Sequence, residues 1–117
     1  INFNTLKSLE KVHEIKIINC SYLKDALLKK LTGVATLTLE RSRTFSDTSD
    51  LGHLQYLHLS YCLVLKKLVG IENVKVVIIE YCEKLEDISG LGKNDVVRLY
   101  KCGSIKNVLP LINVKEV

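Results

Sequence analysis

The chain has 117 residues, 47% of them apolar but only 6% aromatic, and a formal net charge of +4. That length fits one domain. No run approaches the roughly 18 unbroken apolar residues of a membrane span, because Lys75 and Glu80 bracket even the richest stretch, Val76 to Ile79. A soluble chain with a core of layered aliphatic side chains is expected. No charged-then-apolar leader is visible, so a cytoplasmic setting is expected.

Taken in order, residues 1 to 11 carry Phe3, Leu6 and Leu9, the back half of a unit without its strand, and close on a polar Glu10-Lys11 turn. A first full unit starts at Val12, with strand residues 14–18. Behind that strand Leu23, Leu27, Leu28 and Leu31 stand at near-helical spacing, enough for one helical turn or two. The unit from Val34, with its strand at 36–40, diverges most. Ser42 and Thr48 occupy slots that are otherwise apolar or cysteine, and 41–50 is a polar run, so the loosest layer is expected here. The units from Leu54 and Val74, with strands at 56–60 and 76–80, are the most regular. The last, from Asn94, puts a polar side chain where the others have Val or Leu. Its strand falls at 96–100, and Pro110 interrupts the back of its loop. Val117 sits on the anchor position of a further unit. Both ends thus stop mid-repeat without the polar cap that solenoids usually carry. A fragment of a longer protein, or an array shielded by a partner, is expected, against the alternative that irregular ends cap themselves.

The units share one frame. The anchors Ile15, Leu37, Leu57, Val77 and Val97 are spaced by 22, 20, 20 and 20 residues. An aliphatic residue follows two places after each anchor, at Ile17, Leu39, Leu59, Ile79 and Leu99. The fifth place holds Cys20, Ser42, Cys62, Cys82 and Cys102, and the eighth holds Leu23, Phe45, Leu65, Leu85 and Ile105. Six places ahead of the anchors stand Leu9, Leu31, Leu51, Ile71 and Leu91, giving L-x-x-L-x-x-L-x-L-x-x-C-x-x-L. This frame, over nearly the whole chain, resembles the leucine-rich-repeat family in the variant with cysteine where asparagine is commoner, and the period lies within that family's range. The short period and the segment Leu85 to Leu91 look like the short-repeat branches, such as bacterial internalins and the phosphatase-regulator type. The Leu-Ser-Tyr-Cys and Tyr-Cys-Glu-Lys-Leu runs look like the repeats of plant immune receptors. Neither likeness selects a branch, and the fold alone does not give a function.

The competing architecture is a parallel sheet with helical crossovers, but that unit needs about 30 residues and this repeat closes in 20. The expectation is therefore a single α/β-type leucine-rich-repeat solenoid over residues 1–117. Its curved parallel β-sheet lines the concave side, and short 3₁₀, extended or irregular segments with little helix form the convex side.

Strand alternation sorts the side chains between the aliphatic pairs into outward columns. One reads Glu14, Thr36, Tyr56, Val76, Val96, and the next Lys16, Thr38, His58, Ile78, Arg98. A third reads Ile18, Glu40, Ser60, Glu80, Tyr100, and the strand ends add Asn19, Arg41, Tyr61, Tyr81, Lys101. Tyrosine and arginine are enriched at binding hot spots, and an apolar patch on a charged surface marks a contact site. The expected partner-binding residues are Tyr56, His58, Tyr61, Val76, Ile78, Tyr81, Arg98, Tyr100 and Lys101. The bland reading is that the β-branched members serve strand propensity. The partner is a protein, or neighbouring domains of the same parent chain, as in a ligand-sensing or autoinhibitory segment of a receptor. Nucleic acid ranks third: Lys16, Arg41, Arg98 and Lys101 are interrupted by Glu14, Glu40 and Glu80, where a groove for nucleic acid shows a cleaner stripe.

Catalysis and cofactors have no visible constellation. The cysteines stand 42, 20 and 20 residues apart, unlike the short C-x₂₋₄-C pairs of zinc sites. Their shared slot makes Cys20, Ser42, Cys62, Cys82 and Cys102 a structural column, which the resemblance implies turns into the core and hydrogen-bonds loop backbone. Stacked members come within disulfide reach, but free thiols and a reducing compartment are expected. His13, His53 and His58 lie in different registers, with no nucleophile and acid beside them, and His58 otherwise reads as a solvated imidazole. Asp47 and Asp50 lack the dense oxygen ligands of a calcium loop, and Asn19-Cys20-Ser21 is a short glycosylation match with its cysteine buried.

Overall fold

The computed structural model describes residues 13–19, 31–112 and 114–117. Five parallel strands, β1 (Glu14–Ile18), β2 (Thr36–Glu40), β3 (Tyr56–Ser60), β4 (Val76–Glu80) and β5 (Val96–Tyr100), form one sheet in chain order. Ile15 pairs with Leu37, Leu37 with Leu57, Leu57 with Val77 and Val77 with Val97. Each strand therefore meets its equivalent one repeat away. Parallel neighbours require a return path behind every layer, and among the described residues that path holds almost no helix. Its regular pieces there are two 3₁₀ turns, Ser49–Leu51 and Leu109–Leu111, and a bridge between Lys67 and Asp87. The result is a solenoid-like stack of β-layers. Pro110 falls inside the second 3₁₀ turn, near its start, where a missing N–H costs little. Of the near-helical leucines, Leu31 is buried, and Leu23, Leu27 and Leu28 lie outside the described residues, as do Phe3, Leu6, Leu9 and Val12.

The same slots fill the core in every layer. Around β3 they are Leu51, Leu54, Leu57, Leu59, Cys62, Leu65 and Leu68; around β4, Ile71, Val74, Val77, Ile79, Cys82, Leu85 and Ile88. The last of each set reveals a further inward column, Thr48, Leu68 and Ile88, on the back of the stack. Burying one such aliphatic side chain contributes about 1.5–3 kcal/mol, but only when the next layer covers it. Past β5 the cover thins. Leu99, Ile105 and Leu111 are partly buried, while Val108 and Ile112 are 63% and 77% exposed. Stability in such a stack is a nearest-neighbour property. Glu116 bridges Val96 in the same parallel register, and the Val97 N–H donates to its carbonyl at 2.8 Å, extending the sheet pattern one step beyond β5.

The polar intruders in apolar slots are buried and paired. Ser42 Oγ accepts the loop N–H groups of Thr44 and Phe45 at 3.3 and 3.0 Å. Thr48 Oγ1 donates to the Val69 carbonyl and accepts its N–H, both at 2.7 Å, tying one layer to the next. Asn94 donates to the carbonyls of Ile71 and Val74 at 3.0 and 2.6 Å and accepts the Gly92 N–H at 3.0 Å. Among the described residues no buried side-chain nitrogen or oxygen lacks a partner. The layer of β2, expected to be the loosest, is therefore not marked out by its packing. Backbone groups of the return path lie within reach of its polar side chains, and the burial penalty for an unpaired group does not arise.

Each strand ends on a residue with positive φ: Asn19 at 57°, Arg41 at 62°, Tyr61 at 54°, Tyr81 at 56° and Lys101 at 55°. After β2 to β5 the left-handed conformation turns the chain sharply so that the next residue, Ser42, Cys62, Cys82 or Cys102, turns toward the core. For a non-glycine residue this costs on the order of 1 kcal/mol. A ladder of hydrogen bonds opposes that cost: the Asn19, Arg41, Tyr61 and Tyr81 N–H groups donate to the carbonyls of Glu40, Ser60, Glu80 and Tyr100 at 2.8–3.0 Å. Lys101 tests the conformational argument. Lys101→Gly is expected to leave stability within about 0.5 kcal/mol, whereas β-branched Lys101→Val loses about 1–2 kcal/mol. Urea denaturation of both variants checks this, and equal midpoints would refute it.

Candidate functional site

The alternation in β1 to β5 buries the anchor and its partner two places on, and turns the intervening side chains to the other face of the sheet. Because neighbouring rungs sit about 4.8 Å apart, the outward side chains shield one another. Tyr56, His58, Val76 and Ile78 are half-buried, whereas Arg98, Tyr100 and Lys101 are exposed. Ile18 is exposed to 50%. Ser60, expected in an outward column, is instead buried. It is a short side chain flanked in register by Glu40 and Glu80.

Two of the expected contact residues already have carboxylate partners on the face. His58 Nε2 meets Glu80 Oε1 on the adjacent strand, so His58 is not the free solvated imidazole its sequence position suggests. Arg98 Nη2 meets Glu116 Oε1. Such partly exposed pairs are worth little to stability, but they fix where the charges point.

The strand ends hold the most organised group. Tyr61 and Tyr81 stack with ring centroids 4.7 Å apart and planes within 5°. Tyr100 meets Tyr81 edge-on at 5.3 Å and 84°. The stacking distance is the rung spacing itself: equivalent tyrosines on consecutive layers have nowhere else to go. Arg41 Cζ lies 5.3 Å from the Tyr61 ring centroid, and Lys101 Nζ lies 5.7 Å from that of Tyr100. The row runs Arg41, Tyr61, Tyr81, Tyr100, Lys101, with a cation at each end. Contact with the Tyr100 hydroxyl, above all, holds the Tyr81 phenol above its ordinary pKa.

No protein-family model, curated protein or solved structure matches this chain.

The residues singled out from sequence therefore fall into two groups. Tyr61, Tyr81, Tyr100 and Lys101 come together at the strand ends. Tyr56 and Val76, paired in register with Val96 beyond them, mark the opposite ends of the strands, about 16 Å away along an extended chain. His58, Ile78 and Arg98 lie between the two. Sequence reasoning put Arg41 among the outward residues but left it out of the contact set, and it passed over Arg43. Both line a cavity of about 230 Å³ with Asn19, Tyr61 and Leu63. The one signal for it is the Arg-Ser-Arg triplet, whose central serine takes the inward slot.

Cys62 and Cys82 are buried and Cys102 half-buried, all with free thiols; Cys20 lies outside the described residues. Their Sγ atoms turn back to the strand ends, Cys82 to the Glu80 carbonyl at 3.5 Å and Cys102 to that of Tyr100 at 3.5 Å. Ser42, in the same column, bonds forward instead, its Oγ accepting the loop N–H groups of Thr44 and Phe45. The neighbouring Cys62 side chain lowers the Cys82 pKa, whereas burial raises that of Cys102. His53 Nε2 is 2.9 Å from the Leu31 carbonyl, a tie between adjacent layers, and Asp47 Oδ1 accepts the Ser49 N–H at 2.9 Å within a turn. Among the described residues no group of three or more His, Cys, Asp or Glu side chains is placed to hold a metal ion, and no helix is long and apolar enough to cross a membrane.

Proposed function

We propose that this chain is a leucine-rich-repeat array that binds a protein partner through its outward sheet face and carries no catalysis of its own. The observation that carries the reading is the Tyr61–Tyr81–Tyr100 row, with Arg41 and Lys101 on its flanks, on a sheet face that also carries the half-buried aliphatics Val76, Ile78 and Val96. Rigid aromatic side chains offer large contact area at small entropy cost, and Tyr and Arg dominate binding hot spots. The alternation of Lys16, Arg98 and Lys101 with Glu14, Glu40, Glu80 and Glu116 suits a mixed-charge protein surface better than a polyanion. Buried free thiols at Cys62 and Cys82 support a reducing, cytoplasmic setting.

A second reading, a sensing or autoinhibitory segment docked on neighbouring domains of a larger chain, would place those domains over the same half-buried aliphatics Val76, Ile78 and Val96 of the outward face. Titration of a captured partner tests the first reading. Tyr56→Ala with Tyr81→Ala is expected to leave the melting temperature nearly unchanged and to weaken the partner by about tenfold or more. Unchanged affinity in that double variant refutes the outward-face assignment.

A further inference from the structure

Beside the sheet, the loops that follow β2, β3 and β4 form a rim with its own cleft. The cavity of about 230 Å³ lined by Asn19, Arg41, Arg43, Tyr61 and Leu63 adjoins one of about 450 Å³ lined by Arg43, Leu63, Val64, Glu83 and Lys84. Arg43 and Leu63 are common to both, so the two adjoin as one groove crossing four layers, from Asn19 after β1 to Lys84 after β4, about 14 Å in length. One end is basic. Arg41 is held beside the Tyr61 ring, and Arg43 has no ion-pair partner among the described residues. The middle is apolar, with Leu63 45% and Val64 36% exposed. At the far end Glu83 and Lys84 offset each other.

We propose that this rim groove docks an extended acidic peptide of a partner protein, with a carboxylate between Arg41 and Arg43 and the adjacent apolar side chain on Leu63 and Val64. Charge sets the anion. Arg41 and Arg43 both line the cavity and Glu40 Oε1 lies 3.9 Å from Arg41 Nε, so the formal charge of the three together is a single positive one. That balances a carboxylate better than a phosphomonoester carrying about −1.5 to −2. Size sets the length, because about 14 Å admits about four residues at extended spacing. Leu63 is anchored from below, its N–H donating to the Ser42 carbonyl at 3.1 Å, so the groove floor is preformed. The groove shares Arg41 and Tyr61 with the tyrosine row, but Arg43, Leu63 and Val64, on which its test rests, lie outside the outward-face set, so the two readings fail separately.

A random-peptide phage library panned on the whole chain tests the proposal, with Arg43→Glu, Leu63→Ser and, as a charge-matched control elsewhere, Lys93→Glu. Enriched peptides are expected to place Asp or Glu next to Leu, Ile, Val or Phe. By fluorescence anisotropy a synthesised winner should bind Arg43→Glu about tenfold or more weakly, lose affinity to Leu63→Ser, and keep it for Lys93→Glu. Circular dichroism establishes that each variant is folded. Failure to enrich any peptide, or enrichment that survives both Arg43→Glu and Leu63→Ser, overturns the proposal. So does displacement of the winner by oligothymidylate with a preference for the oligonucleotide, which would make a phosphodiester backbone the occupant.

Discussion

A Leu59→Asp chain is expected to lose its cooperative thermal transition. Leu59 is fully buried and pairs in register with Leu39 on one side and Ile79 on the other. A carboxylate there has aliphatic neighbours and no cation, and an isolated buried charge costs at least several kcal/mol. Small domains have only about 5–15 kcal/mol of stability in total. In a stack of layers the damage spreads, because the layers of β2 and β4 lose the face that covers them. Thr38→Asp is the matched control, since Thr38 occupies an outward position on β2 beside Lys16 and His58. It should keep a cooperative transition. Circular dichroism on heating reads both, and a Leu59→Asp chain that melts at an unchanged midpoint would contradict the proposed inward register.

The second large effect is expected at Gly90. A Cβ there would stand 2.2 Å from the Leu68 carbonyl oxygen, 2.4 Å from its carbon and 2.7 Å from the Val69 nitrogen. All three are backbone atoms of the preceding layer, so no side chain can swing aside and the layers themselves must separate. Gly90→Ala should cost about 3 kcal/mol. Gly52→Ala meets one backbone oxygen at 2.5 Å, that of Gly70, and should cost less. A Cβ on Gly103 meets nothing within 4 Å, so Gly103→Ala should be neutral within about 1 kcal/mol. Urea midpoints should fall in the order Gly103→Ala, Gly52→Ala, Gly90→Ala. A Gly90→Ala midpoint equal to that of Gly103→Ala would contradict the close approach of the layers.

These two effects draw on different information, which explains what the sequence discloses. The inward column through Leu39, Leu59 and Ile79 is legible because solenoid strands pair one repeat apart, so the spacing of the anchors is also the register. The scarcity of helix among the described residues between β2 and β5 follows from the same period. Gly90 gives no such signal: that glycine is required by a backbone approach between layers, which a turn-forming glycine does not reveal. The positive φ at the strand ends is equally hidden, because Arg41, Tyr61, Tyr81 and Lys101 are not residues that favour it, and only Asn19 carries a hint. Polarity in core slots misleads in the opposite direction. Thr48 and Asn94 look like defects until the carbonyls of Val69, Ile71 and Val74, from other layers, are placed around them.

The outward face was legible in part for a related reason. Alternation assigns Tyr56, His58, Val76 and Ile78 to that face, but it does not show that Glu80 reaches diagonally to His58 or that Tyr61 and Tyr81 stack. The first depends on side-chain length across neighbouring rungs. The second follows once two tyrosines are known to occupy the same slot one repeat apart, and the sequence contains that information. The rim cleft lies beyond any alternation rule, since Arg43, Leu63 and Val64 belong to the turns after the strands.

Affinity capture with three forms of the chain tests most directly whether the outward sheet face is the working surface. These are the unaltered protein, an outward-face variant (Tyr56→Ala, Ile78→Ser, Arg98→Glu) and a convex-side control (Lys66→Glu, Glu86→Lys), all with matched melting temperatures. The account predicts a protein retained by the unaltered and convex-side forms and lost by the outward-face variant. Loss from the convex-side form, with retention by the outward-face variant, would contradict it.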